Sequence, residues 1–392
     1  MKVAILHSGD LEKISPGGIS QYIEKIIKYN EKNDITIFGT VDLNSKYKLN
    51  TEYEKFIDGK KYKLIPISTN KRNPLSIFYF ISLFKYFSVL KEYDVIYAQR
   101  MEYALPFTFS KLRKKLIMAV HGSGMYSYMY WGKVVGVIYN LMERVAIRNS
   151  KKVVVLLKRK EFGLPYYKNK FKKYNSKFEY GKVPIDLDIF KKLNKNDIRS
   201  KLEIKENEKV IIYFGRIDNN PKRVLLIPRI ASKLTKIYPD IKFVIIGDGE
   251  DKNKLEKLVF DYKLENNIII KGRLSHGNDL VEWINGSNIS LILSSFEGIC
   301  MSALESLACG VPVIATDVGD IKEYINNGYN GKIINNSDNE EKLIYDLSLA
   351  IYECLEKKME INNVYINYES NKVITELENI FLDIVKNNES GM

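Results

Sequence analysis

A chain of 392 residues, 45% hydrophobic and 28% charged, is long enough for two ordinary cores and too apolar for a disordered polymer. Its three cysteines, Cys300, Cys309 and Cys354, form no CxxC, which argues against a disulfide framework or a zinc site and fits a reducing cytoplasm. The net charge of +13 is unevenly spread: residues 1–188 hold 34 Lys and Arg against 17 Asp and Glu, a balance of +17, and the remainder carries −4. A half this basic is expected against nucleic acid, an anionic membrane surface or a phosphorylated acceptor, unless its lysines only solvate the surface.

Met1-Lys2 runs straight into Val3–Leu6, a short apolar run that reads as a first buried strand rather than a secretory signal. Gly17-Gly18 follow it, ahead of the helical pattern ISQYIEKII. Two glycines at a helix N-terminus let backbone approach a phosphate closely, although an ordinary turn has the same composition. Strands are predicted at Ile35–Phe38, Val95–Ala98, Leu116–Val120 and Val153–Leu157, with helices or loops between them, as in a parallel sheet with crossovers. The apolar stretch Ile77–Leu90 contains Lys85 and is too short for a bilayer span of about 20 residues, so it reads as a core helix. His121 directly follows a predicted strand and precedes a glycine-containing loop, where it is either a sugar-contacting group or a satisfied structural histidine. His7 and His276 have less context and read as non-catalytic. From Lys158 to Lys182 the chain interleaves nine Lys and Arg with aromatic residues.

A linker is expected near Val183-Pro184-Ile185-Asp186, which puts domain one at residues 1–185 and domain two at 186–372. Strands are predicted in the second at Val210–Phe214, Phe243–Ile246, Ile268–Lys271, Ile289–Leu293 and Val311–Ala315, at spacings that suit βα units. After the first comes Gly215-Arg216, with Lys222 six residues on and Pro221 placed for the first turn of a helix bearing Val224, Ile227, Ala231 and Leu234 on one face. Arg216 and Lys222 would clamp a diphosphate above that strand end, unless both are solvent-facing charges. In EGICMSALESLACGVPVIAT, Glu297 precedes a helix start and Glu305 lies eight residues later within small and apolar residues, where a buried charge needs a partner. Two carboxylates there can accept hydrogen bonds from sugar hydroxyls while the intervening helix N–H groups face phosphate. Asp186-Leu187-Asp188 spells a D-x-D, but its place in the linker makes it incidental.

These features together resemble glycosyltransferase family 4 along nearly the whole chain. The resemblance rests on the early Gly-Gly loop, His121, the linker VPIDLDIF, the Arg216/Lys222 pair, IIGDGEDKNKLEKL and the Glu-x7-Glu segment. It implies the α/β GT-B architecture, two facing Rossmann-like domains with a C-terminal helix, at about 373–392, crossing back to the N-terminal domain. It further implies that Arg216 and Lys222 bind the donor's diphosphate, that Glu297 holds the transferred sugar, and that Glu305 holds the nucleotide ribose. Gly17 and Gly18 would approach the phosphates or the acceptor, His121 the sugar, and Gly272-Arg273 the base. Gly298, Ile299, Cys300 and Met301 would line the donor pocket, with Ile299-Cys300 standing where the family often has Phe-Gly.

The expected activity is a retaining, metal-independent hexosyltransferase using a UDP- or GDP-sugar as donor and no cofactor. Its acceptor would be a hydroxyl of a glycan or lipid-linked glycan, and its place the cytoplasm or the cytoplasmic face of an anionic membrane, as in polysaccharide or glycolipid assembly. No nucleic acid is expected. The alternatives are a non-catalytic sugar-nucleotide-binding module, a basic nucleic-acid-binding protein, and an epimerase or phosphorylase of the same architecture. A dinucleotide-dependent oxidoreductase is disfavoured because Gly247-Asp248-Gly249 lacks the third glycine of that fingerprint.

Overall fold

The computed structural model describes residues 1–10, 18–69, 75–122, 124–274, 277–357, 359–361 and 363–389. The chain divides into two compact units: Met1–Pro184 with Ser370–Met392, and Ile185–Glu369.

The first unit holds β1 (Lys2–Asp10), β2 (Asp34–Val41), β3 (Tyr53–Ile57), β4 (Lys60–Thr69), β5 (Val95–Ala98), β6 (Leu116–Val120), β7 (Lys152–Val155) and β8 (Phe178–Tyr180). They form one sheet in the order β3-β4-β2-β1-β5-β6-β7-β8, parallel except for the β3–β4 hairpin. β5 and β6 are buried at every residue, as strands covered on both faces must be. One face packs a core that runs from Tyr79 and Leu83 through Tyr103 and Phe107 to Ala146, Ile147 and Tyr167. The region Ile77–Leu90 is a helix only as far as Leu83, followed by a 3-10 turn at Phe84–Tyr86 and a final helical turn at Phe87–Leu90.

The C-terminal helix, Ser370–Glu389, returns to this first unit. Phe381 meets Tyr97 of β5 edge-on at 5.3 Å, Glu378 accepts from Asn33 at 2.8 Å, and Glu376 pairs with Lys182 at 2.8 Å.

The second unit holds β9 (Val210–Phe214), β10 (Lys242–Ile246), β11 (Ile268–Gly272), β12 (Ile289–Ile292), β13 (Val313–Thr316) and β14 (Gly331–Ile334), all parallel, in the order β11-β10-β9-β12-β13-β14. Alternate residues serve opposite cores: Ile211 and Tyr213 of β9 face one layer of helices, Val210 and Ile212 the other. The order reverses between β9 and β12, so the loops after those two strands border the crevice where an open parallel sheet takes its ligand.

The structure alters a second local expectation. Pro221 does not open the long helix after β9. Arg223 adopts a left-handed conformation (φ 52°) that breaks the helical path, and the helix starts at Ile227 with Pro228 in its first turn. Val224, Ile227, Ala231 and Leu234 are nonetheless all buried.

Candidate functional site

At the reversal point of the second unit, two loops bring charged groups together. From the loop after β9, Lys222 Nζ reaches Glu297 Oε1 at 2.5 Å, and Ser294, at the end of β12, donates its hydroxyl to the same oxygen at 2.5 Å. These three groups lie far apart in sequence and meet only because β9 and β12 are neighbours. The two loops are fastened by backbone: Ser295 N–H donates to the Pro221 carbonyl at 2.7 Å, and Thr316 anchors the Ser294 carbonyl at 2.6 Å.

Arg216 is half exposed and pairs with Asp218 at 2.5 Å, while its own carbonyl accepts from the buried Tyr213 hydroxyl at 2.7 Å. Burial, then the charges of Glu297 and Asp218, hold the Tyr213 phenol well above its ordinary value. The Tyr213 hydroxyl thus stands between the Lys222–Glu297 cluster and the Arg216–Asp218 pair, a bridging residue that no sequence motif marks.

Beyond Glu297 the chain passes Gly298 and Ile299 into the helix Met301–Ala308, whose N-terminus has no side-chain cap. Met301 N–H turns back onto the Ile299 carbonyl and Ala303 N–H onto the Cys300 carbonyl, each at 3.0 Å, and the helix dipole still gives this end the partial positive charge that suits an anion. Gly319 (φ 50°) lies so close that a Cβ there would stand 2.2 Å from the Gly298 carbonyl oxygen, so only glycine admits this packing. Ile299 and Met301 are partly exposed, whereas Cys300 is buried with Sγ 4.0 Å from the Val318 carbonyl, which leaves its backbone as the part able to meet a ligand. Glu305 is 3% exposed within the helix, more enclosed than a freely solvated carboxylate. Arg273 is exposed beyond the end of β11, two strands from β9.

The D-x-D proves to be a turn: Asp186 is buried and its Oδ1 accepts the N–H groups of Asp188 and Ile189 at 3.1 and 3.2 Å. Among the described residues no three His, Cys, Asp or Glu side chains gather as a metal would require.

The first unit has its own polar cluster, where its strand order reverses between β1 and β5. His121, after β6, places Nε2 2.9 Å from Gln99 Oε1 and sits edge-on to Tyr22, with ring centroids 5.4 Å apart. His7, set aside in the sequence, lies on β1 with Nε2 3.3 Å from Ser20 Oγ. Among the described residues, the buried atoms His7 Nδ1 and Gln99 Nε2 have no hydrogen-bond partner, as expected where a polar ligand binds. Gly18 opens the helix Gly18–Tyr29, with nothing within 4 Å of where its Cβ would stand; Gly17 and His276 lie outside the described residues.

Burial, with the Arg100 charge second, pushes His7 down to about 4; burial, then His7 and Arg100, pushes His121 down to about 3. Both are neutral imidazoles near pH 7. Their folded values lie below the unfolded value, so the stability they confer is complete above about pH 6.5 and falls as pH drops toward the folded values. Between pH 7.5 and 5, His7 alone is expected to remove about 2 kcal/mol from the first unit. Urea unfolding at the two pH values measures this, and the difference should shrink in His7→Gln. An unchanged difference in that variant would assign the pH dependence to other groups.

Residues 194–365 match the family model of the glycosyl transferases group 1. The match lies within the second unit, Ile185–Glu369. The curated relatives include the N-acetyl-alpha-D-glucosaminyl L-malate synthase of Bacillus anthracis, 26% identical over 53% of this chain and 54% of the relative. Another is the UDP-Gal:alpha-D-GlcNAc-diphosphoundecaprenol alpha-1,3-galactosyltransferase of Escherichia coli, 25% identical over 52% of this chain and 53% of the relative. The chain thus spans about half the length of these two relatives. Among solved structures, Anabaena HepE in complex with UDP and glucose superposes with a TM-score of 0.66 over 100% of both chains, at 16% identity. That likeness concerns the fold alone, and it spans the whole chain, the returning helix included.

Proposed function

We propose that this protein is a retaining glycosyltransferase that moves a hexose-type sugar from a UDP- or GDP-sugar to a hydroxyl of a glycan or lipid-linked glycan. The observation that carries the reading is the Lys222–Glu297–Ser294 cluster beside an uncapped helix N-terminus at the sheet's reversal point. A diphosphate placed there would meet helix N–H groups and draw Lys222 from Glu297, freeing that carboxylate to accept from sugar hydroxyls. Arg216, half exposed on its loop, would add a second cation, and Glu305 would hold the ribose.

In the step itself, the bond between the anomeric carbon and the diphosphate oxygen breaks and its electron pair leaves with the diphosphate. The acceptor oxygen bonds the same face of that carbon, and the hydroxyl proton passes to the departing phosphate oxygen. Lys222, Arg216 and the helix N–H groups stabilise the charge that develops on the leaving group, a task that needs no metal. His121, neutral at pH 7, would act by hydrogen bonding rather than by charge. The UDP bound by HepE and the UDP-galactose donor of the E. coli relative favour UDP over GDP. The relative's lipid-diphosphate acceptor supports a lipid-linked one, and hence work at a membrane surface.

The test is binding and slow hydrolysis of a panel of UDP- and GDP-sugars by the full chain. One nucleotide should be released, and Arg216→Ala should reduce kcat/KM by roughly 10- to 100-fold, as loss of one charge-assisted phosphate contact does. Binding without turnover in the presence of any acceptor would favour a non-catalytic module, and absence of binding would remove the donor-site reading.

A further inference from the structure

The helix Gly124–Asn149 packs one side on the core through Ala146 and Ile147. Its opposite side exposes Val134, Val137, Ile138, Leu141 and Val145, Val134 by 75%. The intervals of three and four residues put these side chains in one row. Scattered exposed aliphatics are ordinary, but a continuous row of five on one helix marks a contact surface. The other exposed residues of that stretch are Arg144 and Arg148. The helix has a single acidic residue, Glu143, and it is turned inward onto Tyr167 and Lys170. This face therefore combines aliphatic side chains with positive charge and carries no negative charge.

A further exposed apolar side chain lies near the end of the helix. Asn149 donates to the Ala104 carbonyl at 3.3 Å and to the Thr108 hydroxyl at 2.8 Å, which fixes the helix end against a segment whose last residue, Phe109, is 99% exposed. Exposed Lys111, Arg113 and Lys114 follow directly.

We propose that this face, the Val134–Arg148 side of the helix with Phe109 and its basic neighbours, docks the protein on an anionic phospholipid bilayer. Aliphatic and phenyl groups would enter the boundary between headgroups and acyl chains, and the guanidinium and ammonium groups would meet lipid phosphates. Charge complementarity selects this occupant. A second copy of the chain packed about a two-fold axis would set Arg144 and Arg148 near their own images with no acid on the face to neutralise them. The Lys158–Lys182 stretch, whose charge draws attention in the sequence, keeps Lys158, Lys160, Lys168, Lys172 and Lys173 exposed but sets no exposed large aliphatic beside them, and its other lysines are held within the fold. Lys170 pairs with Glu143, Lys177 donates to three backbone carbonyls, and Lys182 pairs with Glu376. The docking face is argued independently of donor chemistry, and the two can fail separately.

The experiment is co-sedimentation of the full chain with vesicles of phosphatidylcholine alone and of phosphatidylcholine mixed with phosphatidylglycerol. Wild type should bind the mixed vesicles and not the neutral ones. Ile138→Asp with Leu141→Asp should lower partitioning at least about tenfold, and Arg144→Gln with Arg148→Gln should do so at low salt. Lys172→Gln with Lys173→Gln, in the basic stretch, should bind as wild type does. Unchanged thermal melting and unchanged donor hydrolysis in buffer would show that the variants are folded. Wild-type binding in the Asp pair, or equal binding of wild type to both vesicles, would overturn the proposal. So would a wild-type dimer in the ultracentrifuge that the Asp pair makes monomeric, since the face would then join two copies. If no variant hydrolyses any donor while the vesicle pattern holds, the docking face stands and the transferase reading falls.

Discussion

Lys222→Ala and Glu297→Gln are each expected to lower turnover of the sugar nucleotide by roughly 100- to 1000-fold, the cost of removing one preorganised partner from a developing charge. The structure makes their combination more informative than either alone. Lys222 and Glu297 hold one another at 2.5 Å, and Ser294 shares the same carboxylate oxygen. Both side chains keep some solvent access, so neither variant leaves a sealed, unpaired charge, and thermal stability should change by no more than about 1 kcal/mol. Because the two side chains contact each other, the losses in kcat should fall short of multiplying in the double variant. A Lys222→Ala enzyme with full turnover would show that the leaving group departs toward another cation, and Arg216 would be the first to examine. Full additivity would mean that the pair does not act as a unit.

That pairing shows where sequence reading reaches its limit. Val210–Phe214 and Leu116–Val120 are legible as strands because they are buried on both faces and so form unbroken apolar runs. The hairpin of β3 and β4 is harder to read because it lies at the sheet edge, where lysines and glutamates alternate with apolar residues. Its signal was nevertheless present: Asp58 and Gly59 both have positive φ, the Asp-Gly turn that joins two antiparallel strands. In the site, Glu297 is legible from its spacing to Glu305 at a helix start. Its contact with Lys222, 75 residues away, depends on which strands are neighbours, and no local pattern encodes that order. His7 is passed over for a related reason: within an apolar strand it resembles a core residue, and only the pairing of β1 with β5 reveals it near Gln99 and His121. Lysine charge misleads in the opposite direction, since composition cannot distinguish a lysine facing solvent from one bound within the fold.

Lys170 is the clearest case, and Lys170→Met is expected to destabilise the first unit by about 3 kcal/mol. Its ammonium joins the helix Gly124–Asn149 to the helix Leu164–Lys170, donating to Glu143 at 2.6 Å, Asn140 at 2.7 Å and the Tyr166 hydroxyl at 2.9 Å. Burial opposes the lysine's charge, but Glu143 and Tyr166 outweigh it and hold the group above its ordinary value. Glu143 is 1% exposed, and its other oxygen accepts from Tyr167 at 2.8 Å. With Lys170 gone, that carboxylate is a buried charge held by one phenol, which makes losing one partner far worse than losing both. Replacing the pair together, Glu143→Leu with Lys170→Met, should therefore recover much of the stability lost in the single variant. Urea unfolding followed by a probe in the first unit measures each effect, while the second unit's transition serves as an internal reference. A double variant no more stable than Lys170→Met would show that the aliphatic replacements fit poorly between the two helices. A single variant as stable as wild type would return Lys170 to the solvated surface, beside the exposed Lys168, Lys172 and Lys173.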